Sequence, residues 1–168
     1  MITSGMFTSN TPEWGTPQAF FDELDKEFHF DLDVAASDEN HKCARYYTKE
    51  SDGLANLSHW GGQVWCNPPY GREIGKWVKA CAEYSGQSVM LLPARTDTRW
   101  FHDYIYGNPR AEIRFIKGRL KFNDGDSPAP FPSMVVVFKE KDEENSQYIC
   151  TSKCFQRYEC RGNTESSQ

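Results

Sequence analysis

No run of apolar residues in this chain is long enough to cross a bilayer, and the opening MITSGMFTSNTPEW lacks the apolar centre of a secretory signal. A soluble, cytoplasmic protein with no membrane partner is therefore expected. Cys-x-x-Cys pairs are also missing, and His29, His41, His59 and His102 have no metal-ligand spacing. With no secretion signal the six cysteines are expected to be reduced, and no metal is expected, even at Cys150, Cys154 and Cys160. There is no internal repeat. There is no bulk positive charge either: a net charge of −5 excludes a protein that coats nucleic acid by general attraction.

Rings and one local concentration of positive charge stand out instead. Aromatic residues make up 14% of the 168 residues and hydrophobic ones 38%, so one domain with a small, ring-rich core plus a tail is expected. Between Arg95 and Lys121 lie seven basic residues and three acidic ones, a local net of +4 that leaves −9 to the rest of the chain.

Thr16-Pro17 reads as N-cap and first position of a helix through PQAFFDELDKEF, with Phe20, Phe21, Leu24 and Phe28 inward. Phe28, Phe30, Leu32 and Val34 then alternate with His29, Asp31 and Asp33, which predicts a strand ending in Ala35-Ala36-Ser37. After a short helix, a second strand is expected near Arg45 to Thr48, then a turn at Asp52-Gly53. Gly61-Gly62 leads into QVWC and the turn at Asn67, and Ile74, Trp77, Val78 and Cys81 recur at helical spacing. QSVMLLPA reads as a strand buried on both faces, and TDTRWFHDYIYG as a short helix. EIRFIKGRLKF and PSMVVVFK read as two strands. Helix–strand alternation closed by a hairpin predicts an α/β fold, a mostly parallel sheet with an antiparallel C-terminal hairpin.

Within this frame Asn-Pro-Pro-Tyr, residues 67–70, falls at the carboxyl end of a strand, where ligands gather in open α/β sheets. Two consecutive prolines stiffen the backbone and push Asn67 into an extended conformation. A stiff turn can aim two acceptors, the Asn67 side-chain oxygen and the Pro68 carbonyl, at one point while Tyr70 offers a flat ring. This suits a planar aromatic amine such as adenine, whose amino lone pair is shared with the ring. Two acceptors on its hydrogens draw the nitrogen towards a tetrahedral shape and free the pair. Asn67 is neutral and no general base, so the electrophile has to be strong, as a methyl sulfonium is. The plain alternative is a well-made turn.

The pieces WGTPQAFFDELDKEF, FDLDVAAS, YYTKESDGL, WCNPPYG, LLPARTDTRWFHDYI, IRFIKGRLKF and APFPSMVVVF occur in that order, and through them the chain resembles the phage-type, Dam-like DNA N-6-adenine methyltransferases from about Trp14 to Phe138. The resemblance implies a Rossmann-like class I methyltransferase fold, S-adenosylmethionine as donor and adenine in DNA as acceptor. It divides the chain into a flexible N-terminus (1–13), a methyltransferase domain (14–139), and a charged linker with a cysteine-containing tail (140–168).

Carried over by position, the resemblance assigns catalysis to Asn67, Pro68, Pro69 and Tyr70, and donor contacts to Thr16, Pro17, Asp33, Ala35 and Ser37. Asp33 can accept hydrogen bonds from the donor's ammonium, and small residues at 35–37 allow close approach, although that loop is usually glycine-rich. As a bland alternative, Asp33 is a solvent-facing strand residue. Asp52 is a candidate for the donor's ribose or adenine, and equally an ordinary Asp-Gly turn. Arg95, Thr96 and Arg99 are candidates for gripping double-stranded DNA, with Trp100 wedging where a base is flipped out unless it is a core ring. Arg119 and Lys121 are expected to alternate outward on a strand, facing either the DNA backbone or solvent. The alternatives left open are an RNA or protein-glutamine acceptor and a non-catalytic, antirestriction DNA binder. Target sequence and oligomeric state are not encoded in any feature of the chain.

Overall fold

The computed structural model describes residues 14–142. The expected flexible N-terminus and the cysteine-containing part of the tail lie outside the described residues. Six strands form one sheet: β1 (Leu32–Asp33), β2 (Arg45–Tyr46), β3 (Val64–Cys66), β4 (Ser88–Pro93), β5 (Ala111–Phe115) and β6 (Ser133–Phe138), in the order β2-β1-β3-β4-β6-β5. β6 runs antiparallel to both β4 and β5, while β1 is parallel to β2 and β3, and β3 to β4. The sheet is thus mostly parallel, and its antiparallel member is the second strand of the C-terminal hairpin.

Period-two patterning builds three layers around it. On β4, Met90 and Leu92 face one side with Val136 and Phe138 of β6; Val89 and Leu91 face the other with Val135 and Val137. The first face is covered by α2 (Ile74–Glu83) through Ile74, Trp77, Val78 and Cys81, together with a π-type turn at Phe101–Ile105. The second is covered by α1 (Gln18–Phe28), whose Phe21 and Phe28 pack with Phe30 around Trp65. Burying each such side chain contributes about 1.5–3 kcal/mol. Phe122 and Phe131, from the long connection between β5 and β6, extend this second face to Trp14.

Four expected elements come out differently. β1 is two residues long because Phe28 completes α1, His29 takes a left-handed conformation (φ 53°) and the Asp25 carboxylate captures the Phe30 amide at 2.8 Å. Residues 38–40 form a turn, not a short helix. The strand predicted over 112–122 stops at Phe115, and the chain turns at Gly118 (φ 81°), so Arg119 and Lys121 lie on a loop and not on a strand. Finally, Thr16 does not cap α1. Pro17 occupies the N-cap position, and the free Gln18 amide is met by Asp124 from 106 residues away.

Candidate active site

Loops after β1, β2 and β3 converge at their carboxyl ends on a cavity of about 470 Å³, within the ordinary range for small-molecule sites. Its wall includes Gly15, Thr16, Asp33, Ala35, Ala36, Ser37, Asp52, Asn67, Pro68 and Pro69. Most of the residues singled out for donor binding and catalysis are therefore brought together in space. Pro17 and Tyr70 are not part of this wall.

Asp33 ends β1 and is only 3% exposed, so it is not the solvent-facing strand residue of the bland alternative. Its two oxygens accept from the Ala35 amide (3.3 Å) and the Lys42 amide (3.0 Å). Burial nevertheless dominates and raises its carboxyl to about 6, against which the two amides and the nearby Lys42 charge work in the opposite direction. A buried carboxylate held this way is short of a cation.

The small-residue loop after β1 has its amides already committed. Ala35 donates to Asp33, Ala36 to the Tyr47 carbonyl (2.9 Å) and Ser37 to the Asn40 side chain (2.9 Å). A loop with no amide to spare is not a phosphate cradle. What Ala35, Ala36 and Ser37 supply is a smooth wall, and a ligand's charges have to be met by side chains. Next to it the 52–54 turn packs so tightly that a Cβ at Gly53 would sit 2.1 Å from the Val34 carbonyl. Asp52 there is left-handed (φ 48°) and exposed; one oxygen accepts from the Ala55 amide at 3.1 Å while the residue also lines the cavity. The turn and ligand-facing readings of Asp52 are compatible.

Asn67 follows β3 directly. Its side-chain NH₂ donates to the Trp14 carbonyl and to the Thr16 hydroxyl (2.9 Å), so both amide hydrogens are used and the orientation of the group is set. The hydroxyl that sequence pattern assigns to helix capping serves this purpose instead. The consequence is that Asn67 Oδ1 is buried with no partner among the described residues. A buried acceptor left unpaired costs about 1–3 kcal/mol, and this one belongs to a residue of the cavity wall.

Tyr70 is clamped. Its hydroxyl donates to the Leu91 carbonyl (3.1 Å), and its ring meets Phe122 and Phe131 in edge-to-face geometry. Burial drives its phenol well above the usual tyrosine range. Trp14 joins the same two phenyl rings, so the aromatic cluster connects the Asn67 anchor to the Tyr70 turn.

Of the residues proposed for DNA, Arg95, Thr96, Arg99, Arg119 and Lys121 are all exposed. Trp100 is half-buried and packs on the core cluster, as a core ring does. Two of the seven basic residues of the 95–121 segment are spent on the fold. Arg110 donates to the carbonyls of Lys139, Ala82 and Tyr84, and Arg114 pairs with Glu27 and Glu112. Lys42, Asn40, Glu73 and Trp77 also line the cavity, and sequence reasoning missed them; only Trp77 carried a signal, and it pointed to the core.

A mostly parallel sheet whose one antiparallel strand lies between β4 and β5, with an acidic residue, a small-residue loop and an Asn-Pro-Pro-Tyr turn at its carboxyl ends, is the arrangement that the resemblance to class I methyltransferases implies. The model of the family DNA N-6-adenine-methyltransferase (Dam) matches residues 4–160, and the chain belongs to that family. The DNA N-6-adenine-methyltransferase of Escherichia phage T1 is 31% identical over 180 residues, covering 87% of this chain and 74% of that one. That of Haemophilus phage HP1 (strain HP1c1) is 28% identical over 152 residues, covering 84% and 86%. Family and fold imply a methyl donor of the S-adenosylmethionine type. Among the described residues no helix is long and apolar enough to cross a membrane.

Proposed function

We propose that this chain, as a single domain spanning 14–139, methylates the exocyclic amino group of adenine in double-stranded DNA and takes the methyl group from S-adenosylmethionine held in the 470 Å³ cavity. The residues present fit that donor. Asp33 is a buried carboxylate short of a cation, Trp77, Leu54 and Val34 supply apolar wall, and the loop with no free amides suits a ligand that carries no phosphate. Bound there, the donor supplies an electrophilic methyl group on a sulfonium that departs as a neutral thioether.

The observation that carries the reading is the unpaired Oδ1 of Asn67. It is fixed in place before any substrate arrives, because Trp14 and Thr16 hold the other end of the amide. With the Pro68 carbonyl it accepts the two amino hydrogens of a flipped adenine, which localises the nitrogen lone pair. Tyr70, immobilised by Leu91 and two phenyl rings, is the surface on which the base stacks, worth ~1–3 kcal/mol on aromatic platforms. No base is needed beforehand, since the methylated nitrogen is acidic and loses its proton to water. Arg95, Thr96, Arg119 and Lys121, exposed on loops, and Arg99, exposed at the start of a helical turn, hold the DNA backbone. Protection of phage DNA against host restriction is the role this activity would serve.

The test offers DNA, RNA and a protein mixture to the purified chain with isotopically labelled donor. Label is expected in DNA adenine alone. Label in RNA or in glutamine side chains would overturn the acceptor assignment.

A further inference from the structure

Asp33 answers only half of the amino-acid end of S-adenosylmethionine. That end is zwitterionic, and its carboxylate, brought beside a buried aspartate, would be repelled unless a cation stood close by. Two lysines line the cavity, Lys42 and Lys49. Lys49 is exposed and belongs to the turn that carries Asp52. Lys42 is half-buried and tied to the acidic residue itself, its main-chain amide donating to Asp33 Oδ2 at 3.0 Å.

The Lys42 ammonium is near enough to Asp33 to favour its ionised form, yet among the described residues no carboxylate lies within 4 Å of it. Its partner is neutral, the Gln18 side-chain oxygen at 2.8 Å. Gln18 is itself held at the start of α1, donating from Nε2 to Asp22 and from its main-chain amide to Asp124. Lys42 thus lines the same cavity as Asp33, and its ammonium, held by Gln18, is not neutralised. A negative and a positive side chain sharing one wall, neither cancelling the other, form the complement of an α-ammonium and an α-carboxylate.

We propose that Lys42 is the counter-ion for the donor's carboxylate, so that Asp33 and Lys42 together select the zwitterionic amino-acid end. The proposal rests on the reading that S-adenosylmethionine occupies this cavity. Lys42 binds and positions; it takes no part in moving the methyl group or the proton. The tie to Asp33 runs through the Lys42 main chain, so replacing the side chain leaves it in place.

Isothermal titration calorimetry with two probes tests this, S-adenosylmethionine and its decarboxylated form, on the parent chain, Lys42→Gln and Lys42→Arg. The parent is expected to favour the complete donor. At about pH 8, where Asp33 stays ionised without the Lys42 charge, Lys42→Gln should weaken the complete donor by roughly 10- to 100-fold, as for loss of a hydrogen bond to a charged group, and leave the decarboxylated form unchanged. Lys42→Arg should restore most of the difference. Equal weakening of both probes by Lys42→Gln would overturn the proposal, because the side chain would then act through the fold. Unchanged affinity for both would overturn it as well, placing the carboxylate elsewhere. A parent that binds neither probe would overturn the donor reading itself, an outcome distinct from the other two.

Discussion

The two sides of the sheet's carboxyl edge are built on different terms. On the donor side, Asp33, Thr16 and the 35–37 loop are buried or half-buried, and their polar groups are fixed by hydrogen bonds within the chain. On the side assigned to DNA, the arginines stand in solvent; Arg99 meets Asp103 at 3.7 Å with its side chain 94% exposed, a contact worth little by itself. The small-molecule site is organised before its ligand arrives, and the conformational entropy of ordering is already spent there. In the proposed complex the arginine side postpones that cost until a DNA backbone supplies the phosphates. Asn67 lies on the proposed boundary, its NH₂ anchored by Trp14 and Thr16 and its Oδ1 without a partner among the described residues.

Substitutions break this comparison in order of size. Asn67→Ala should lower turnover by roughly 10²–10³ or more, as when a preorganised polar contact to the reacting group is removed, while DNA affinity by fluorescence anisotropy stays close to the parent's. A loss of only a few-fold would make Asn67 part of the scaffold. Asp33→Asn should weaken donor binding by roughly 10- to 100-fold in calorimetry and leave DNA binding alone. Equal losses on both sides would mean that the two are not separately built.

A pH profile sharpens the donor side further. The Asp33 carboxyl is raised to about 6 by burial, and the proposed contact to the donor's ammonium needs it ionised. Donor affinity should therefore fall as pH drops below about 6, by up to about tenfold per unit. The sign for stability is opposite to that of a salt-bridged aspartate. A carboxyl raised by folding stabilises the unliganded protein fully below the unfolded value near 3.8, and that contribution is lost as pH rises through about 6. The donor-induced rise in Tm should accordingly be larger at about pH 7.5 than at about pH 5.5, and Asp33→Asn should flatten this difference. The smallest effects belong to the solvated side. Arg95→Ala and Arg99→Ala should each weaken DNA binding a few-fold and reduce the slope of log affinity against log salt by about 1, without touching the donor.

The parts of the fold that period and local chemistry determine were legible in the sequence. β4 and β6 are unbroken apolar runs, α2 repeats at helical spacing, and the strand–turn–helix around Asn67 is punctuated by its prolines. The parts that distant residues decide were not. Thr16 reads as a cap, and it takes Asp124, 106 residues beyond Gln18, to meet the Gln18 amide and leave the Thr16 hydroxyl for Asn67. The alternation from Phe28 to Val34 is real, but a side chain of α1 captures the Phe30 amide and cuts the strand short. In the site, acidic and amide residues at strand ends were visible. Lys42 was not, because nothing in its neighbours announces that its main chain is tied to Asp33 and its side chain to α1. The basic count of 95–121 also misled in part, since Arg110 and Arg114 serve carbonyls and carboxylates of the fold.

In the proposed reaction the unpaired oxygen of Asn67 receives an adenine of DNA. Nucleoside mass spectrometry of plasmid DNA, from cells that lack adenine methylation of their own and express either the parent chain or Asn67→Ala, tests it most directly. N6-methyladenine with the parent and none with the variant is the predicted result. Methyladenine at equal levels in both, or in neither while both proteins are soluble, would contradict the account.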